Sequence, residues 1–158
     1  MKKLFAAIFA LVLLCALHDA CAAPQTWLKI VKGEHLLYVM RGDKELEKFA
    51  VAVGKNSGDK RKKGDCRTPE GIFSVKQVQD ARSWSHDFHD GMGPIQGAYG
   101  PWFIRLKTGW SGIGIHGTHD PLSIGKNVTE GCIRLANDDL DRLKKEYVTT
   151  GMKVVVVK

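Results

Sequence analysis

From Trp27 onward the chain is a series of short apolar runs, most of them ended by a polar turn that contains glycine. That pattern leaves little room for anything but β-structure, because the runs are too short for helices and the turns recur too often. Trp27, Leu28, Ile30 and Val31 surround Lys29 in the first run. Lys32-Gly33-Glu34-His35 turns the chain, and residues 36–40 return as a second run. Arg41-Gly42-Asp43-Lys44 turns it again, and residues 49–53 are read as a third strand. Tight polar turns between short runs predict antiparallel pairing. Ile72-Phe73-Ser74-Val75, residues 102–106, residues 113–116 and residues 152–157 supply further strands, rich in β-branched and aromatic side chains.

One segment breaks the pattern. Asn137 can cap a helix whose first turn carries Asp138 and Asp139, where anions are favoured. Leu140, Leu143 and Tyr147 then share a face, Lys144 and Lys145 lie toward the C-terminal end, and Thr149-Thr150-Gly151 stops the helix. The expectation is one mostly-β domain with one main helix near the C-terminus. Residues 80–99 form a long irregular stretch holding Trp84, His86, Phe88 and His89. Such a stretch in a compact domain is either a functional cleft wall or lid, or a surface loop whose aromatics cover the core.

The N-terminus has a different character. Lys2 and Lys3 precede an apolar run over residues 4–17, and Ala20-Cys21-Ala22 offers a small-residue cleavage site. This is the layout of an export signal spanning residues 1–22, with the folded domain over residues 23–158. Lipid attachment at Cys21 is the second reading, disfavoured by His18 within the apolar approach. Removal of the signal takes Lys2, Lys3 and Asp19 with it and lowers the formal net charge from +7 to +6. A basic exported domain suits polyanionic surroundings such as a cell wall. Nucleic acid is a poor partner, since the dense basic run Lys60-Arg61-Lys62-Lys63 has no interleaved aromatics and reads as a solvated loop tip. Of the four cysteines, Cys15 and Cys21 fall in the signal. A domain that depended on disulfides would carry more than the remaining pair. Cys132 is therefore expected as a free thiol and Cys66 as a packed one, with redox pairing between them a minor alternative.

The chemistry concentrates between Ile113 and Leu135. His116 ends an apolar strand in Ile113-Gly114-Ile115-His116-Gly117-Thr118, and Cys132 follows in Thr129-Glu130-Gly131-Cys132-Ile133-Arg134-Leu135. A thiolate is the reactive form of cysteine, and a neighbouring imidazole can generate it near neutral pH. Gly131 is expected to leave room for substrate beside the sulfur, and Arg134 to lower the thiol pKa. Arg134 is equally suited to orienting substrate, supporting the loop or forming a structural salt bridge.

His-Gly-Thr at 116–118, Ser-Ile-Gly at 123–125 and Gly-Cys-Ile-Arg-Leu at 131–135 together resemble the signature of the L,D-transpeptidase catalytic domain family, the YkuD-like proteins. Thr68-Pro69-Glu70-Gly71-Ile72-Phe73 and Tyr99-Gly100-Pro101-Trp102 resemble that family's preceding segments, so the likeness covers nearly all of the chain after Leu28. The resemblance implies a β-sandwich or mixed-sheet domain, a Cys132 nucleophile and a His116 base, with the Gly117 carbonyl holding the imidazole tautomer. It implies an oxyanion site from the backbone of Glu130, Gly131 and Cys132, and a cleft lined by Arg134, Trp102, Ser123 and Thr129. It further implies peptidoglycan stem peptides as substrate, 3–3 cross-links as product, no cofactor, carbapenem adducts at Cys132 and a monomeric enzyme. Water as acceptor would make the activity an L,D-carboxypeptidase. The chain departs from the family pattern at Glu130, where many members carry a second histidine.

Two other readings compete. His116 with His119, and His86 with His89, are H-x-x-H pairs to which Cys132 could add a thiolate, a chemically suitable zinc set of generic spacing. A non-catalytic wall-binding module would need the cleft but has no use for the Cys132–His116 pair.

Overall fold

The computed structural model describes residues 25–88, 91 and 93–158. The expected signal segment, with Cys15 and Cys21, and His89 of the second H-x-x-H pair lie outside the described residues.

The domain is mostly β. Strands β1 (Thr26–Val31), β2 (Leu36–Arg41) and β3 (Lys44–Ala50) form the antiparallel meander expected from their turns. They are followed by β4 (Val53–Gly54), β5 (Gly71–Asp80), β6 (Ser85–His86), β7 (Ile95–Gln96), β8 (Trp102–Lys107) and β9 (Gly114–His116). Then come β10 (Asn127–Thr129), β11 (Ile133–Arg134), the helix α1 (Asn137–Glu146) and β12 (Lys153–Val157). Eight strands make one sheet in the order β11-β9-β8-β5-β12-β1-β2-β3, while β4 pairs with β10 and β6 with β7 in small ladders. The sheet is mixed, because β12 joins β1 and β11 joins β9 in parallel.

Three boundaries differ from the sequence reading. The third strand begins at Lys44, not Phe49. Its run of Lys and Glu reads as polar turn, but β3 is a sheet edge, where charged side chains face water and guard the unpaired backbone. The apolar Val51 and Ala52 that follow form a buried connector to β4, which begins at the buried Val53. Ala52 exchanges hydrogen bonds with Arg134, Ala52 N–H to Arg134 O at 2.8 Å and Arg134 N–H to Ala52 O at 2.9 Å. The connector from one end of the sheet thus reaches the strand at the other end, so the sheet curls on itself and closes through this one bridge. Strand β5 runs to Asp80, well beyond Val75, with a register shift between Val75 and Gln77 where it pairs with β8. Within residues 80–99, β6 and β7 form a short hairpin.

Leu28, Ile30, Leu37, Val39, Ile104, Ile115, Ile133, Leu135 and Val154 are fully buried in the core, and Leu140 and Leu143 of α1 join them. Each such side chain contributes about 1.5–3 kcal/mol of burial. Asn137 does not cap α1. The cap residue is Ala136, without a side-chain bond, and Asn137 is the first helical residue. Its amide has another task at the candidate site.

Candidate active site

The parallel pairing of β11 with β9 creates the site. Ile133 lies opposite Ile115, and Arg134 opposite His116. Successive side chains of a strand alternate between faces. Ile115 and Ile133 go into the core, so His116, Arg134 and, one step before β11, Cys132 share the other face. All three line one cavity of about 560 Å³.

His116 is 4% exposed and held on every side. Its ring stacks on Phe103, its cross-strand partner on β8, with centroids 5.6 Å apart and planes 9° from parallel. Tyr99 meets it edge-on at 4.9 Å. Burial, reinforced by the charge of Arg134, pushes its pKa down to about 3, against the opposing bond to Gly117. The ring is therefore neutral near pH 7. Nδ1 lies 2.7 Å from Gly117 O. A carbonyl only accepts, so Nδ1 carries the proton and Nε2 keeps its lone pair for base chemistry. Gly117 is itself held: its N–H donates to Tyr99 O at 2.8 Å, and a side chain on it would overlap Asn137 Oδ1 and Gly100. Asn137 clamps the next residue, accepting from Thr118 N–H at 2.8 Å and donating from Nδ2 to Thr118 O at 3.0 Å. Sequence reasoning missed this role, since an asparagine that opens a helix looks like a cap.

Cys132 is partly exposed, and its thiol donates to Gly112 O at 3.2 Å. Protein groups surround the sulfur, and desolvation pushes its pKa up to about 11. The Gly114 N–H, Arg134 and Arg105 pull it down, while Glu130 adds to the rise. The expected activation by Arg134 is thus outweighed by burial, which leaves a neutral thiol and a neutral imidazole in one cavity.

The remaining expected residues separate. Thr129 lines the cavity and braces the Cys132 loop, its hydroxyl donating to Cys132 O at 2.6 Å and accepting from Gly131 N–H at 3.2 Å. The Gly131 amide is therefore already engaged, which leaves it a weaker oxyanion donor than expected. Nor does Gly131 make room for substrate: its φ is 133°, and an added Cβ would sit 2.8 Å from Arg67 O and 3.3 Å from Ile113 Cδ1. Its small size lets the loop pack against the backbone at Arg67. Ser123 is buried, and its Oγ donates to Asp120 O while accepting from Arg134 at 3.0 Å, so it anchors Arg134 instead of lining the cleft. Arg134 is 5% exposed, lines the cavity and lies over the Phe88 ring, 5.8 Å from its centroid. Trp102 is not a cleft residue. It leaves β8 on the face opposite Phe103 and reaches α1, donating to Asp141 Oδ1 at 2.5 Å under the Lys144 ammonium.

Some lining residues were unforeseen. Cys66, expected to be packed, lines the same cavity as a free cysteine in a left-handed conformation, φ 52°. Lys60 is no solvated loop tip: it is 8% exposed, paired with Asp65 at 2.7 Å, and lies 5.6 Å from the Trp110 ring centroid. His86 and Phe88 make the long stretch a cleft wall. Among the described residues no group of three metal-ligating side chains converges, and the His119 ring packs on Phe88, centroids 5.1 Å apart.

The model of the YkuD family, the L,D-transpeptidase catalytic domain, matches residues 25–156. The chain belongs to the YkuD family of L,D-transpeptidase catalytic domains. It is 40% identical to YkuD of Bacillus subtilis over 124 residues, which are 78% of this chain and 61% of that protein. It is 32% identical to YqjB of the same organism over 110 residues, 68% of this chain and 57% of that one. The chain thus spans about three-fifths of these relatives' length. Among solved structures, the catalytic domain of the E. faecium L,D-transpeptidase superposes with a TM-score of 0.62 at 19% identity, covering 87% of this chain and all of that one. L,D-transpeptidase 3 of Mycobacterium tuberculosis, solved with a faropenem-derived adduct, has a TM-score of 0.61 at 19% identity, covering 85% of this chain and 61% of that one. At these identities the likeness establishes the YkuD-type fold.

Proposed function

We propose that this YkuD-family domain is an exported L,D-transpeptidase that acts on peptidoglycan tetrapeptide stems through a Cys132 thioester and forms 3–3 cross-links. One observation carries the reading: His116, with Nδ1 bonded to Gly117 O, shares a face and a cavity with Cys132. Sulfur attacks the carbonyl of stem residue three as Nε2 takes the thiol proton. The C–N bond to the terminal D-alanine breaks, and the imidazolium gives that proton to the departing amine. An acceptor amine then attacks the thioester, the C–S bond breaks, and one amine proton returns through His116 to the sulfur. The Cys132 and Glu130 backbone amides are the proposed oxyanion donors. No step requires a cofactor. Residues 1–22 are the proposed export signal, and the cell envelope the site of action. A carbapenem adduct at Cys132 is expected, in keeping with the adduct in the M. tuberculosis neighbour.

The test is mass spectrometry of products from a defined tetrapeptide muropeptide. A dimer that disappears in Cys132→Ala is the expected result. Tripeptide alone would assign a carboxypeptidase, and unchanged substrate would overturn the proposal.

A further inference from the structure

Thioester formation leaves one group of polar side chains in the cavity unused. Tyr99 Oη lies 3.0 Å from His86 Nδ1, and His86 Nε2 lies 2.9 Å from Glu130 Oε2. A carboxylate only accepts, so Nε2 donates to Glu130. Phe88 packs edge-on against the His86 ring at 4.6 Å and Tyr99 at 5.6 Å, which fixes the imidazole from two sides. All of these residues line the cavity of Cys132. Three separate stretches of chain thus converge to hold one carboxylate two residues from the proposed nucleophile.

The charges in the cavity are divided. Glu130 is the one acid among the described lining residues, while Lys63 and Arg134 are cations whose charge no lining acid other than Glu130 offsets. The Glu130 side chain is 52% exposed while one of its two oxygens is held by His86. A carboxylate beside the sulfur does not help acylation, because it opposes thiolate formation. Its placement does match the other half-reaction. An aliphatic amine acceptor arrives as an ammonium near neutral pH, with an ordinary pKa of about 10.4. Among the described side chains lining the cavity, Glu130 is the one whose charge attracts it.

We propose that Glu130 is the acceptor-recognition residue, receiving the ammonium of the incoming amine, and that His86 and Tyr99 are positioning residues that aim it. This rests on the transpeptidase reading. The ammonium docks on the carboxylate and releases one proton to solvent. The neutral amine then attacks the thioester carbon, the C–N bond forms and the C–S bond breaks. The amine's next proton passes to His116 and on to the sulfur. Amine thereby competes with water for the acyl-enzyme, and Glu130 sets the ratio.

The test separates the two half-reactions. The donor is a tetrapeptide stem with its side-chain amine acetylated, and the acceptor is a tripeptide stem with that amine free. Acyl-enzyme formation is followed by intact-protein mass, and the dimer-to-tripeptide product ratio by liquid chromatography and mass spectrometry. In Glu130→Gln the acceptor KM should rise and the dimer-to-tripeptide ratio fall about five- to tenfold, the scale of a partly exposed charged hydrogen bond. Acylation should be no slower, since a negative charge beside the sulfur has gone. Glu130→Asp should recover part of the ratio. His86→Ala should lower it less than Glu130→Gln, and His86→Gln, which can still donate to the carboxylate, should restore it. An unchanged ratio in Glu130→Gln, or equal slowing of acylation and aminolysis, would overturn the acceptor site alone. Failure of the wild-type enzyme to acylate would overturn the transpeptidase reading and this site with it. Wild-type acylation that yields only tripeptide would overturn the amine-acceptor role.

Discussion

Replacing Asn137 with alanine tests whether the base is held by the loop that follows it. The amide makes two neutral hydrogen bonds to Thr118, at 2.8 and 3.0 Å, and Thr118 is 3% exposed. Two such bonds are worth about 2 kcal/mol in net stability, rising toward about 3 kcal/mol if the vacated space stays dry and Thr118 N–H is left unpaired. Asn137 is itself exposed, so water can enter and the lower figure is expected. Activity should fall further than stability. Gly117 lies between Thr118 and His116, and its carbonyl fixes the imidazole; a shift approaching 1 Å reduces catalysis by roughly a hundredfold. Asn137→Ala should therefore lose about 2 kcal/mol in urea unfolding while acyl-enzyme formation drops roughly ten- to a hundredfold. Asn137→Asp separates the two effects. It keeps an acceptor for Thr118 N–H and places an anion in the first turn of α1, which favours stability. It also sets a carboxylate oxygen against Thr118 O, so acylation should stay impaired. Wild-type acylation by Asn137→Asp, or wild-type stability and acylation by Asn137→Ala, would refute the clamp.

Three further outcomes follow from the site. Gly131→Ala forces a side chain into a backbone with φ 133° and against Arg67 O at 2.8 Å. It should lose about 2–3 kcal/mol in urea unfolding and most of the acylation rate; a variant as stable as wild type would show that the loop has room. Alkylation of Cys132 by iodoacetamide, in a Cys66→Ala background, should keep climbing with pH from 7 through 9.5, because the thiol pKa stands near 11 against an ordinary 9.0; a plateau below pH 8 would mean a pre-ionised thiolate. His116 stays neutral when folded down to about pH 3, whereas the unfolded chain protonates it from its ordinary 6.5. Its folded pKa is depressed, so its contribution is intact above pH 6.5 and is lost as pH falls toward 3. Between pH 7 and 4, wild type should lose more stability than His116→Gln, by at most about 3 kcal/mol, and parallel losses would contradict the burial argument.

The strands that face the core were readable because their runs are mostly apolar, with a single lysine at most: residues 27–31, 36–40 and 152–157 lie within a residue or so of β1, β2 and β12. The edge strand β3 was not, because its Lys and Glu residues pair through the backbone while their side chains remain in water. Val51-Ala52-Val53 misled for the opposite reason. Its apolarity serves the closure of the curled sheet onto Arg134, a long-range pairing with no local signature. His116, Gly117 and Cys132 could be singled out as candidates through their motifs, but the burial that shifts the His116 and Cys132 pKa values could not, since desolvation depends on what the rest of the chain packs around them.

Local chemistry alone determined that this would be a mostly-β domain with a thiol and an imidazole on neighbouring stretches. Alternation, turn residues and short motifs are properties of adjacent positions, and they survive without knowledge of the fold. Only the folded chain decided that Asn137 would brace the base, that His86 would hold Glu130, and that Trp102 would face the helix. Those outcomes depend on which face each strand presents and on which distant backbone comes within 3 Å of it, as in the Asn137 and His86 contacts. Such distances are set by the register of the whole sheet, which no short window of sequence specifies.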